Sequence, residues 1–179
     1  NPRMDQFSLE GKTAIVTGGS RGIGYEIARA FIAAGARVII TARGEGPLND
    51  AAAALGPDCI VMPCDNADPA AVTATIARAR QLAPVDILVN NAGISPHYKR
   101  IEHVTVEEWD AVFDVNLRGT FLASVEFAKR VFEAGSAASI INISSVASER
   151  PMPAAEPYGA AKAGLNALTR SFAFSLGPT

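Results

Sequence analysis

The stretch that most constrains this chain is 12–34. Lys12-Thr-Ala-Ile-Val-Thr17 is an apolar, β-rich run, Gly18-Gly-Ser-Arg-Gly22-Ile-Gly24 follows at once, and a helical pattern then continues to 34. Ala34-Gly-Ala36 closes that helix, and 37–41 is a second apolar run. A strand that turns on glycines into a helix and returns as a strand is a βαβ unit with its strands parallel.

The glycines are spaced G-x-x-x-G-x-G, unlike the G-x-G-x-x-G of the usual dinucleotide fingerprint. Glycine here permits a tight turn and lets backbone N–H groups approach a pyrophosphate at the positive end of a helix. Such a loop alone reads equally as a plain turn. Its setting between strand and helix, ahead of a second strand ending at Thr41, favours a cofactor loop.

The same alternation runs through the rest of the chain. A weak helix is expected at 47–55, a strand at 59–63, and a helix from Asp68-Pro69 to about 81, with aspartate as N-cap and proline at the first helical position. A fourth strand is expected at 85–90. Thr105-Val-Glu-Glu108 fits a capping box and opens a long helix to about 134. A fifth strand at 139–144 and an apolar helix at 158–176 complete the pattern. No internal repeat, low-complexity tract or linker interrupts it. The expectation is an α/β fold, a doubly wound parallel sheet in a Rossmann-like three-layer αβα sandwich.

The 179 residues suffice for one domain with a full core. Leu176-Gly-Pro-Thr179 follows directly on a helix, where the alternation calls for another strand. The expected organisation is therefore a single dinucleotide-binding and catalytic domain over 1–179 that lacks its last strands and substrate loop.

Apolar residues make up 49% of the chain, ordinary for an α/β protein and too many for disorder. A net charge of -2 and a pI near 5.7 leave no basic footprint for nucleic acid or an anionic membrane. No apolar run reaches the roughly 20 residues that span a bilayer. Residues 1–6 lead into the first folded segment without a signal peptide, and Met4 reads as the native start. Cys59 and Cys64 lie in or beside one strand, badly placed to pair, which suits a reduced, cytoplasmic setting. Two histidines remote from any cysteine pair speak against a metal site.

Chemistry concentrates at Tyr158-Gly-Ala-Ala-Lys162, with Ser145 thirteen residues upstream. A phenol and an ammonium four apart on a helix lie one turn from each other. The cation favours the phenolate of a hydroxyl whose unperturbed pKa, about 10, is otherwise too high for acid–base work at neutral pH. At the end of the second strand, where a carboxylate would bind a ribose 2′-hydroxyl, the chain has Ala42 and then Arg43, with Arg21 inside the glycine loop. Two guanidinium groups suit a 2′-phosphate, so NADP(H) is favoured over NAD(H). The plainer reading, two solvated surface arginines, stays open. Together these features read as hydride transfer between a nicotinamide cofactor and an alcohol or ketone.

Thr17-Gly-x-x-x-Gly-x-Gly24, Asn90-Asn-Ala-Gly93, Asn116, Ser145 and Tyr158-x-x-x-Lys162 resemble the short-chain dehydrogenase/reductase family, in its order and spacing across nearly the whole chain. The glycine spacing looks like that of the shorter, single-domain branch. The resemblance implies that Gly18, Ser20, Arg21, Gly22 and Ile23, within the motif ending at Gly24, surround the pyrophosphate and adenosine phosphates. Asp65 and Asn66 would contact adenine. Asn90 and Asn91, continuing into Ala92 and Gly93, would form the turn that lies along the adenine ribose and braces the sheet. Asn116 would interrupt a helix and hold a water in a proton relay. Ser145 would bind the substrate oxygen and Tyr158 exchange the proton. Lys162 would hold the nicotinamide ribose and lower the tyrosine pKa.

The implied activity is an NADP(H)-dependent oxidoreductase interconverting a secondary alcohol and a ketone. Family members continue through two further strands, a mobile substrate loop and a helix, with a Pro-Gly segment at the nicotinamide, and this sequence does not contain them. The competing expectation is a nucleotide-binding module without catalysis, serving regulation or assembly. Sugar acids, 3-oxoacyl thioesters, steroids and small ketones all suit the motifs as substrates.

Other residues carry less. His97 and Tyr98 follow the fourth strand and either line the substrate cleft or are solvated. His103 reads as surface, and Trp109 with Phe113 as packing. Ser144-Ser145 lacks the G-x-S-x-G elbow of serine hydrolases. Phe121, Leu122, Val125, Phe127, Ala128, Val131 and Phe132 cover more of a helix than one buried stripe needs, although a helix flanking a doubly wound sheet can be this apolar without a partner. The resemblance implies pairing of the 105–134 and 158–176 helices across a two-fold axis, in a homodimer or homotetramer.

Overall fold

β1 (Thr13–Thr17) is buried along its whole length, and every other layer is arranged about it. In the computed structural model, which describes residues 6–96 and 98–177, β1 lies between β2 (Arg37–Ala42) and β4 (Ile87–Asn90). β3 (Cys59–Pro63) and β5 (Ser139–Asn142) flank these, giving a five-stranded sheet in the order β3-β2-β1-β4-β5 with every pair parallel. Ile15 stands opposite Ile39 on one side and Leu88 on the other.

Alternate residues of these strands feed two separate cores. On one face Ile15, Ile39 and Leu88 pack with Val72 and Ile76 of α3 (Pro69–Leu82) and Phe127 of α5 (Gly119–Glu133). On the other Ala14, Val16, Val38 and Ile40 meet Ala28 of α1 (Gly22–Ala33) and Leu48 of α2 (Glu45–Leu55). Each fully buried isoleucine or leucine contributes roughly 1.5–3 kcal/mol. This is the doubly wound three-layer arrangement expected from the alternating pattern.

Several expected boundaries move for identifiable reasons. α2 begins at Glu45 instead of 47, because Pro47 sits in the first helical turn, where its missing N–H is no loss. β4 starts at Ile87 and not at 85, since the carbonyl of Val85 is taken by Arg80 Nη1 at 3.0 Å. β5 stops at Asn142, two residues early, because β4 has ended at Asn90 and the Ile143 carbonyl accepts from Lys162 Nζ. The last helix, α6 (Glu156–Leu176), starts two residues before the tyrosine, with Pro157 in its first turn.

The run expected as one helix from 105 to 134 holds a wide turn. α4 (Val106–Phe113) passes into a π-helical turn, Asp114–Arg118, before α5. The capping box is present: Thr105 Oγ1 accepts from Glu108 N–H, and Glu108 Oε2 from Thr105 N–H. Trp109 and Phe113 stack with ring centres 4.6 Å apart, as expected of a packing pair. Met4 and His97 lie outside the described residues. No described helix is long and apolar enough to cross a membrane.

Candidate active site

The carboxyl ends of β1 and β4 are where the winding of the sheet reverses, the crevice in which open α/β sheets hold ligands. A cleft of about 490 Å³ opens there. Gly18, Ser20, Arg21, Gly22 and Ile23 line one wall, Asn91, Ala92 and Gly93 another, and Arg43, Asp65 and Asn66 the far end.

The glycine loop is shaped by contacts that no larger residue permits. Gly18 has φ +66°, and a Cβ on it would meet Ala92 Cα at 3.0 Å. A Cβ on Gly24 would collide with the Gly18 carbonyl and the Asn91 amide. Gly24 thus lines no part of the cleft; it lets α1 approach the loop. Thr17 fastens the two walls together: its Oγ1 accepts from Asn91 N–H and Ala92 N–H, both at 3.0 Å. Asn91 Nδ2 donates to the Thr17 and Gly18 carbonyls.

At the N-terminus of α1, Arg21 is the N-cap residue and gives no side-chain cap bond. The first N–H groups of that helix are therefore left for a ligand, and the helix dipole favours an anion there. The exposed side chains of Arg21 and Arg43 pair with no carboxylate among the described residues. Glycine walls, uncapped helix donors and free guanidinium groups fit a dinucleotide with phosphates at the loop.

Three polar residues expected at the cofactor are engaged by the protein itself. Asn66 borders the cleft, but its Nδ2 donates to the Val115 carbonyl at 2.9 Å, taking an acceptor in the π-helical turn. Asp65 Oδ1 accepts from Ala67 N–H in its own loop. Asn90 is 3% exposed, and its amide donates to Ser124 Oγ and Asn142 Oδ1. It braces β4 against α5 and β5 and does not line the cleft.

The residues expected for chemistry come from three segments that meet beyond β4 and β5. Lys162 is buried at 4% exposure, and its Nζ donates to the Ile143 carbonyl at 2.6 Å. Loss of hydration pushes the pKa of this ammonium down. Among the described residues one of its three N–H donors is taken, by Ile143, so two are left for a ligand. The same Nζ lies 5.7 Å from the centre of the half-buried Tyr158 ring. Ser145 caps the 3₁₀ turn Val146–Ser148, and its Oγ accepts from Ala147 N–H at 3.1 Å. Gly159, next to Tyr158, lets α6 touch that turn: a Cβ there would meet the Ala147 carbonyl at 3.0 Å.

Asn116 sits in the π-helical turn with 1% exposure. Its Oδ1 accepts from Ile94 N–H at 2.8 Å and its Nδ2 donates to the Ile94 carbonyl at 2.9 Å. The side chain thereby locks the end of the Asn90–Gly93 turn to the helix.

The profile of the short chain dehydrogenase family matches residues 12–179. Galactitol 2-dehydrogenase (L-tagatose-forming) of Cereibacter sphaeroides is 40% identical over 171 residues, which cover 93% of this chain and 66% of that protein. The chain belongs to the short-chain dehydrogenase family. L-xylulose reductase of Bos taurus is 35% identical, with 95% of this chain and 68% of that protein covered. A crystal structure of 3-ketoacyl-(acyl-carrier-protein) reductase from Brucella melitensis complexed with NADH superposes with a TM-score of 0.89 at 34% identity, covering 96% of this chain and 72% of that one. The chain spans about two thirds of the length of the relatives it matches.

Family membership explains why the motifs converge, and the geometry adds residues that the motifs alone did not single out. Thr17 is one; its place at the head of the glycine motif was the available signal. Ile94 is another, joined to Asn116 entirely through its backbone, which no side-chain pattern reveals. Tyr98 is exposed and His103 lies on the surface.

Proposed function

We propose that this protein is an NADP(H)-dependent oxidoreductase that interconverts a secondary alcohol and a ketone. The observation that carries the reading is Lys162, a desolvated ammonium with two uncommitted donors, one helical turn from the Tyr158 phenol. A bound nicotinamide supplies or accepts the hydride. In the reducing direction Tyr158 gives its proton to the substrate oxygen, and in the oxidising direction it takes that proton back. Lys162 stabilises the phenolate left behind and offers its free donors to ribose hydroxyls. The Ser145 hydroxyl, with one lone pair engaged by Ala147, turns its hydrogen toward the substrate oxygen and fixes it beside the phenol. A water held near Asn116 would reload the proton; both polar groups of its side chain are bonded to Ile94, and its backbone carbonyl accepts from Thr120 Oγ1 at 3.4 Å.

Arg21 and Arg43 support the preference for a 2′-phosphate. Gly18, Ser20, Gly22, Ile23, Asn91, Ala92 and Gly93 would hold the dinucleotide, with Asp65 and Asn66 at the adenine end. Self-association into a homodimer or homotetramer is supported by Phe121, 42% exposed on α5 and stacked against Phe172 of α6. Two unpaired cysteines support a cytoplasmic setting.

Titration of the full-length protein with NADPH and NADH, followed by nicotinamide fluorescence, tests the reading. Tighter binding of NADPH, lost in Arg43→Ala, is the expected result. Equal or tighter binding of NADH overturns the cofactor preference, and binding of neither overturns the oxidoreductase.

A further inference from the structure

Tyr158, Lys162 and Asn166 follow one another at four-residue intervals and so share one face of α6. The first two belong to the chemistry just described. Asn166 does not, yet both ends of its side-chain amide are engaged. Its Oδ1 accepts from Ser144 Oγ at 2.6 Å, and its Nδ2 donates to Ser148 Oγ at 2.8 Å and to Glu149 Oε1 at 3.0 Å. A carboxylate only accepts, so Glu149 fixes which end of the amide carries the nitrogen. Ser148 Oγ, having accepted from Asn166, spends its own hydrogen on the Ser145 carbonyl at 2.6 Å.

Ser145 therefore sits between two serines that one amide holds, and a two-bond line runs from Asn166 through Ser148 to the Ser145 backbone. The turn that depends on it is the one whose N–H groups report Ser145 directly: Ala147 N–H donates to Ser145 Oγ, and Ser148 N–H to the Ser145 carbonyl. Tyr158 is carried by α6 and Ser145 by the loop after β5, two segments with no backbone continuity at the site. A substrate oxygen bound by both hydroxyls demands that these segments hold one register.

We propose that Asn166 is a positioning residue that sets Ser145 against Tyr158. The proposal rests on the catalytic reading above. It acts by geometry alone: no proton or hydride passes through the amide, and displacement of about 1 Å at a reacting group costs on the order of 10²-fold in rate.

The test uses the full-length protein, NADPH and diacetyl as a small ketone probe. Asn166→Ala is expected to lower kcat about 10²-fold while the NADPH dissociation constant stays within about twofold. In a Ser145→Ala background the same substitution is expected to cost less than about twofold, because the group it positions is gone. Ser148→Ala, which cuts the line at its middle, should reproduce the selective loss. An equal loss in both backgrounds, or none in either, overturns the proposal. Amide hydrogen exchange separates this from failure of the catalytic reading. Ala147 and Ser148 should lose protection in Asn166→Ala while β1 keeps its own, whether or not diacetyl is reduced; unchanged protection at Ala147 and Ser148 overturns the positioning role.

Discussion

The side-chain amide of Asn66 donates to the backbone carbonyl of Val115 at 2.9 Å. One bond thus joins the loop beyond β3, at the far end of the cleft, to the π-helical turn that carries Asn116. Gly119 makes the junction close: a Cβ there would collide with the Asn66 backbone and amide. The wide turn frees a carbonyl that ordinary helix geometry would satisfy, and a loop 49 residues earlier in the chain supplies the donor.

Asn66→Leu keeps the bulk and removes that donor, leaving the Val115 carbonyl unpaired in a buried position. The unfolding free energy is expected to fall by about 1–3 kcal/mol. Urea denaturation should show a lower midpoint at an unchanged slope. An unchanged midpoint would mean that water replaces the amide without loss.

Gly24→Ala drives a methyl group into the Gly18 carbonyl and the Asn91 amide, backbone and brace at once. Both stability and NADPH affinity should drop together, since the loop cannot retreat without opening the Thr17 bonds to Asn91 and Ala92. Gly46→Ala is the matched control. It lies in a helix with open space around it, and is expected to be neutral or to stabilise by about 0.4–1 kcal/mol. Calorimetry of the two variants side by side would refute the steric account if they melted alike.

Lys162 gives the protein a pH signature. Burial holds its pKa below the ordinary lysine value near 10.4, so in the interval between the two the unfolded chain binds a proton that the native state has shed. Native stability then rises with pH across that interval, while below it both states are protonated and the burial cost is felt in full. The stability of the wild type relative to Lys162→Met should accordingly increase as pH climbs toward about 10.4. A difference that stays constant through that interval would mean the ammonium is better solvated than its burial implies.

Much of this was legible from the residues, and the reasons are local. The glycine loop could be read because φ +66° at Gly18 and the contact at Gly24 both demand glycine. The capping box at Thr105 and the proline after Asp68 mark helix starts by chemistry confined to a few neighbours. What escaped reading was non-local. The early end of β5 depends on Lys162 taking the Ile143 carbonyl, 19 residues away, and Asn116 finds its partner 22 residues back at Ile94. The inward turn of Asn66 has the same origin, and so do the partners through which Asn90 performs its expected bracing, Ser124 and Asn142: they lie on elements whose adjacency only the folded sheet creates. Asn166 carries no motif at all beyond its spacing from Lys162.

Replacing the Tyr158 hydroxyl tests the central claim most directly. Tyr158→Phe keeps the ring beside Lys162 and removes only the proton-carrying oxygen. NADPH binding, measured by nicotinamide fluorescence, should stay within about twofold, while ketone reduction falls by at least about 10²-fold, the low end of what a positioned acid–base contributes. Turnover at the wild-type rate in this variant would contradict the assignment of Tyr158 as the acid–base, and with it the reading of the site.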